Sequence, residues 1–350
     1  MSFVPDTHQP IAAEFEEPTA DFVPEAGEEV APGTGPWKLA GRRLRRNKTA
    51  MFFGGLFLVI LVMCLLAPVY SQDVAHVSPA YGNPAGTITI NGKQQFILST
   101  IGIPIGPTWN VHEYFLGADT NGRDVAVRLL YGGRTSLEIG AAATLITMVL
   151  AVIVGIIAGY FRGLIDNVSN LALDIIWAFP AVLLAIAIGT VLATGGIGPL
   201  KSTNNFVVAG IIGFVYIPYV AKPVRAQVLS LREREFIDAA RQQGLSDMRI
   251  MFTEVLPNLA STIVVFIPLI LANAILLEAA ITYLGAGVKP PNASWGTMIA
   301  DGVTLIPAAF HLVLAPGIML VLTVLSVNMF GDGLRDALDP RAKIRVPRRT

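Results

Sequence analysis

The chain has 350 residues, 53% of them apolar and 14% charged, and its 25 basic and 25 acidic side chains balance to zero formal charge. An average soluble domain is about 25% charged, so a water-soluble body of this size would lack the polar surface to cover itself. Length alone allows about two domains, but the apolar residues fall in long blocks, which read as one membrane-embedded body.

The first 36 residues carry eight acids, six prolines and no lysine or arginine. Such a segment buries too little apolar surface to fold alone, and residues 1–36 read as a disordered acidic tail. It does not read as a signal peptide, because the basic segment and the apolar run come after it. Residues 37–70 then combine a basic segment (Lys38, Arg42, Arg43, Arg45, Arg46, Lys48) with a first apolar block. Cys64, the single cysteine, excludes an internal disulfide and a cysteine-based metal cage. It follows Leu61-Val62-Met63, an echo of a lipid-attachment box, but Met63 is too large for such a cleavage site and Cys64 reads as an ordinary helix residue.

Six apolar blocks, at 50–70, 136–160, 168–192, 205–221, 259–283 and 306–330, are each about long enough to cross 30 Å of hydrocarbon. The fourth is short and needs its ends to reach Asn204 or Lys222. With the N-terminus inside, 19 of the 25 basic residues fall on cytoplasmic segments. This positive-inside bias places both termini in the cytoplasm.

Between the spans, the external loop 71–134 contains Thr87–Ile90 and Lys93–Leu98 around Asn91-Gly92, a spacing that predicts a β-hairpin. The cytoplasmic loop 222–258 is charged and reads as two short helices. Leu229–Gln243 forms the first, Gly244 the break, and Ser246 caps a second that ends before Pro257. Residues 135–331 make up a five-helix core that includes this loop, and 332–350 form a basic cytoplasmic tail.

The chemistry begins with absences. There is no phosphate-loop motif, so the chain is not expected to hydrolyse ATP itself. The four histidines are scattered and suggest no metal site. Asp119-Thr120-Asn121-Gly122-Arg123-Asp124 has a calcium-loop flavour, but its glycine falls too early and no terminal Glu follows, so an Asp/Asn/Gly turn is the plainer reading.

Glu138, Asp174 and Glu278 lie in or near the spans, where a charge costs about 3 kcal/mol and must face protein or water. They read first as bonds between helices and second as pore groups that would bind a peptide's amino terminus. Gly155, Gly159 and Gly163 recur every fourth residue and permit close helix contact.

Asp238-Ala239-Ala240, Gly244 and Leu256-Pro257 resemble the E-A-A-x3-G-x9-I-x-L-P segment of ABC importer permeases, with Asp238 for the usual Glu and Glu254 in the place of Ile. Adjacent alanines leave a low surface for a partner, Gly244 allows a chain reversal, and Glu235, Arg241 and Arg249 fix register. The run Leu116–Asp124 continuing to Leu137, the stretch Glu278–Met298, and Gly331–Arg341 narrow the resemblance to the second (C-type) subunit of dipeptide, oligopeptide and nickel permeases, over about 40–341. Leu171 stands where relatives would carry a basic residue near Asp174.

The resemblance implies an all-α polytopic membrane protein with six transmembrane helices, a cytoplasmic coupling-helix loop and a large external loop. It also implies a homologous permease partner, two ATPase subunits holding ATP and Mg²⁺, and an external substrate-binding protein. No cofactor or metal is expected in this chain, and no nucleic acid. The setting is the bilayer of a bacterial or archaeal cell membrane. Peptides are the implied cargo, with nickel complexes or other small solutes behind. A proton-coupled carrier using Asp174 and Glu278 as relays, or a membrane-bound enzyme, are the rival classes; the first would not need the docking loop, and the second lacks a catalytic cluster.

Overall fold

The computed structural model describes residues 36–90, 92–195 and 204–339; the acidic segment up to residue 35 and the last residues of the basic tail lie outside this range. The helices are α1 (Pro36–Arg46), α2 (Lys48–Leu65), α3 (Val125–Tyr160), α4 (Leu164–Trp177), α5 (Ala181–Gly195), α6 (Asn205–Arg232), α7 (Glu235–Gln242), α8 (Asp247–Tyr283), α9 (Trp295–Gly302) and α10 (His311–Leu338). α2, α3, α6, α8 and α10 are each long and apolar enough to cross a membrane, and α4 with α5 makes a sixth crossing if the pair counts as one broken span. The fold is all-α apart from one small hairpin.

Several boundaries differ from the sequence expectation, each for a local reason. The third span is not straight: α4 and α5 meet at 90°. Pro180 offers no N–H and disfavours helix at Phe179 before it, so the helix stops and restarts there. The short fourth block lengthens into α6, which carries Lys222, Arg225 and Arg232 past the apolar stretch. The predicted loop helix beginning at Leu229 therefore belongs to α6 up to Arg232, and α7 begins only at Glu235.

The second loop helix does not end before Pro257. It runs on as α8, 37 residues long, or about 55 Å. A π turn at Met251–Val255, where Leu256 N–H donates to Met251 O, absorbs the donor that Pro257 lacks. α3 begins at Val125, so residues 125–134 are helix rather than external loop. α10 ends at Leu338, seven residues into the expected tail.

The core lies between α3 and α6, where small residues bring the backbones together. An added methyl on Gly155 would lie 2.8 Å from Ala221 O, and one on Gly159 2.9 Å from Arg225 O. Thr147 Oγ1 donates to Gly213 O at 2.9 Å across the same seam. Gly163 takes no part in it: its φ of +87° turns the chain into α4, with nothing near its missing side chain.

A second core joins α2, α3, α9 and α10. Cys64 is fully buried there, and a methyl on Gly133 would lie 2.4 Å from its Sγ and 2.7 Å from the Trp295 ring. In the segment between α2 and α3, β1 (Thr87–Ile90) and β2 (Lys93–Phe96) pair antiparallel across a turn in which Gly92 has φ +77°. Ile88 and Ile97 pack on Ala118, Ile105 and Tyr114 of the same loop.

Candidate functional site

The helix break between α7 and α8 is built around one glycine. Gly244 has φ +77°; its N–H donates to Arg241 O at 2.9 Å, and Leu245 N–H reaches back to Ala240 O at 3.2 Å. These two bonds satisfy the last carbonyls of α7 in the Schellman arrangement that a left-handed residue permits. After the turn, Ser246 precedes α8 in extended conformation. α7 and the start of α8 are thus held at a fixed angle.

The loop is seated on the ends of the neighbouring spans. Tyr160, the last residue of α3, donates its hydroxyl to Asp247 Oδ1 at 2.7 Å. Its ring lies 5.8 Å from the Arg232 guanidinium and 5.5 Å from that of Arg241. Arg232 Nη1 also donates to Tyr160 O at 2.5 Å. Underneath, Ile237, Ala240, Ile250, Met251 and Val255 are buried in the main core.

The predicted loop residues therefore separate by face. Glu235, Asp238, Ala239, Gly244, Arg249 and Pro257 are exposed, Arg241 and Leu256 half-buried. Ala240 is only 6% exposed and packs inward, so it offers a partner no surface; this corrects the expectation of two adjacent seating alanines. The outer face instead carries apolar groups the sequence reading missed: Phe236 (38% exposed), Met248 (59%) and Phe252 (62%). Met248 and Phe252 lie one turn apart on α8. Their spacing of four in a polar loop was the available signal. Tyr160, Arg232 and Asp247 were missed because their meeting is tertiary.

The intramembrane carboxylates are not gathered into one site. Glu278 is fully buried, accepting from Ser136 Oγ at 2.8 Å and Thr282 Oγ1 at 2.9 Å. Asp174 pairs with Lys222 of α6, so its cation comes from another helix and not from position 171. Lys222 also lies 4.1 Å from the Trp177 ring centre. Glu138 takes Arg134 Nε at 2.8 Å and borders a cavity with Asn204, Asn205 and Asn292. Arg225 and Asp166 form a further pair at 2.5 Å, and Arg162 and Glu233 another at 2.5 Å, tying α4 and its approach to the C-terminal part of α6.

At the opposite end of α3 from Tyr160, the Asp119–Asp124 segment makes a buried ion cluster with Arg128. Asp119 Oδ2 meets Arg123 Nε at 2.7 Å and Arg128 Nε at 3.2 Å. Both arginines reach Asp301 of α9, at 3.3 and 3.5 Å. Asp119 Oδ1 accepts from the backbone N–H of Asn121 and Arg123, which is the expected turn. With its oxygens taken by arginines and amides, Asp119 has nothing left to offer a calcium ion.

Burial pushes the Asp301 carboxyl above its ordinary range in spite of the two arginines. Burial likewise raises Asp124, against the pull of the backbone N–H groups that it caps. Among the described residues no group of three or more His, Cys, Asp or Glu could hold a metal.

The sequence matches two family models: "Binding-protein-dependent transport system inner membrane component" over residues 151–344, and "N-terminal TM domain of oligopeptide transport permease C" over residues 35–83. It is similar to a dipeptide transport system permease protein of Alkalihalophilus pseudofirmus, 37% identical over 308 residues, covering 88% of this chain and 91% of the relative. It is also similar to a glutathione transport system permease protein of Pectobacterium atrosepticum, 37% identical over 230 residues, covering 66% of this chain and 73% of that one. Among solved structures, the MetNI methionine ABC transporter in inward-facing conformations overlaps 60% of this chain and 96% of its own, with TM-score 0.49 and 18% identity.

Proposed function

The chain belongs to the family of binding-protein-dependent transport system inner membrane components and is an ABC transporter permease subunit; on that premise we propose that it forms half of the pore of an ATP-driven peptide importer. A second, homologous permease supplies the other half. Two ATPase subunits holding ATP and Mg²⁺ dock beneath, and an external binding protein delivers cargo. The names of the relatives, which transport dipeptides and glutathione, favour peptides as the cargo class. The bilayer is that of the cell membrane, with both termini and the 222–258 loop in the cytoplasm.

The observation that carries the coupling step is the unbroken helical run of α8 from Asp247 to Tyr283. A displacement applied at the docking face enters a rod that is itself the fifth span, with no loop to dissipate it. Tyr160 passes the same displacement to α3 through Asp247, and Arg232 ties in α6. Phe236, Met248, Phe252 and Ala239 form the surface seated in the ATPase, while Gly244 fixes the angle between the seated helix and the rod. ATP-driven closure of the two ATPases would then turn the pore from inward-facing to outward-facing.

The test is association. The full-length chain, tagged and solubilised from its native membrane in a mild detergent, should bring down two ATPase chains and a second permease. A Phe252→Asp, Met248→Asp variant should lose the ATPases and keep the permease partner. Recovery of the chain alone, or an undiminished ATPase yield with the double variant, would contradict the reading.

A further inference from the structure

The cytoplasmic end of the bundle holds a feature that coupling does not use. A cleft of about 410 Å³ opens between α1, the start of α8 and the end of α10, lined by Trp37, Arg43, Asn258, Ser261 and Leu338 among others. A second hollow of about 400 Å³ shares Ser261 and Leu338 and continues along α8 past Val265, Phe266 and Leu269. From Ser261 to Leu269 the helix climbs about 12 Å, away from the cytoplasmic end and toward the middle of the span. The combined groove is polar and basic at one end and apolar at the other.

Its charged end holds Arg43 and Arg335 against one carboxylate, Asp339. Arg43 spends Nη1 on Asp339 O at 3.0 Å, and among the described residues its Nε and Nη2 make no bond. Arg335 lines the second hollow and makes no ion pair among the described residues; Asp339 is the acidic group beside it. Lys38, Arg42, Arg45 and Arg46 add charge on the exposed face of α1, and Trp37, 54% exposed, stands at the helix start where an indole suits the headgroup layer. Basic hollows between helices on the cytoplasmic side of a membrane favour anionic headgroups.

We propose that this groove binds one anionic phospholipid, its phosphate held by Arg43 and Arg335 and an acyl chain lying along Val265–Leu269. The rival occupant is the chain's own acidic segment, which joins α1 at Pro36 and carries eight acids in the first 36 residues. Its charge would suit the arginines, but an acid- and proline-rich strand has no use for the apolar half of the groove.

The experiment is native mass spectrometry of the full-length chain in detergent with an equimolar mixture of dioleoyl phosphatidylglycerol and dioleoyl phosphatidylcholine. The wild type should retain phosphatidylglycerol in preference. Arg43→Gln with Arg335→Gln should cut that preference by about twenty-five-fold, or about fivefold per charge, and Arg45→Gln, outside the groove, should leave it largely in place. Ser261→Met fills the groove without altering charge and should reduce retention of both lipids; it decides the matter if the double variant does not fold. Equal retention of the two lipids by the wild type would overturn the proposal. So would an unchanged preference in the double arginine variant, unchanged retention in Ser261→Met, or a rise in phosphatidylglycerol retention when residues 1–35 are removed, which would assign the groove to that segment.

Discussion

The hydroxyl of Tyr160, at the end of the second span, donates to Asp247 Oδ1, at the start of the helical run that becomes the fifth span, at 2.7 Å. Two cations, Arg232 and Arg241, lie 5.8 and 5.5 Å from the centre of the same ring. Tyr160→Phe removes the hydrogen bond and keeps the ring, so the loop should loosen by about 1 kcal/mol. Tyr160→Ala also removes two cation–π contacts, at about 0.5–1 kcal/mol each. Substrate-stimulated ATPase activity of the reconstituted complex should therefore fall modestly in the first variant and severely in the second. Equal activity in both would deny Tyr160 a part in transmission.

Ala239 and Ala240 are neighbours with opposite surroundings, one exposed and one buried. Ala239→Trp should leave the isolated chain as stable as the wild type and weaken ATPase association. Ala240→Trp should overpack the core beneath α7 and lower stability by about 1–3 kcal/mol before any partner is considered. Thermal unfolding of the purified chain, paired with ATPase binding, separates the two. Similar melting points for both variants would show that the assignment of faces is wrong.

Arg128 is the most deeply buried member of the Asp119–Arg123–Arg128–Asp301 ion cluster, with a side chain 2% exposed. Arg128→Met leaves Asp119 with one arginine and takes one from Asp301, a loss of about 3 kcal/mol for a broken buried pair. Asp301 has a pKa raised by burial, so the folded chain holds its proton more readily than the unfolded one. Its contribution to stability is accordingly present at acid pH and falls as pH rises through the native pKa. Asp301→Asn should remove that part of the slope. A pH–stability curve above about pH 4 that is unchanged by Asp301→Asn would sink this account.

Glu278 sits between Ser136 and Thr282 with no surface exposed. Glu278→Gln keeps the shape and part of the hydrogen bonding, and transport should survive it. Glu278→Leu leaves Ser136 Oγ and Thr282 Oγ1 without their acceptor, which costs about 1–3 kcal/mol for each group left unpaired. Loss of uptake in the Gln variant at normal expression would instead make this carboxylate a cargo ligand.

The apolar spans, the all-α class and the helix break at Gly244 were legible in the sequence, because each is a local pattern. Hydrophobic runs, the distribution of Lys and Arg, and the Asp238–Pro257 spacing need no knowledge of which helices touch. The misses turn on how a missing donor is absorbed and on which helices meet. α8 continues through Pro257 because a π turn can absorb a missing donor, and nothing in the sequence distinguishes that from a stop. The partner of Asp174 is 48 residues away, at Lys222, and position 171 could not reveal it. Ala240 looked like its neighbour until the helix had a buried side. The bend at Pro180 was readable, and the apolar run around it concealed it.

Gly244 tests the central claim most directly. Nothing lies within 4 Å of where its side chain would project, so a substitution there meets no steric obstacle. Its φ of +77° does the discriminating: a non-glycine residue pays about 1–2 kcal/mol in that region, and a β-branched one more. The measurement is cargo uptake alongside ATPase activity in proteoliposomes carrying the complete complex, with Gly244→Val against wild type. The account predicts a variant that inserts and assembles with its permease partner, with uptake lost and ATP hydrolysis no longer stimulated by cargo. Normal uptake and normal stimulation in Gly244→Val would contradict it.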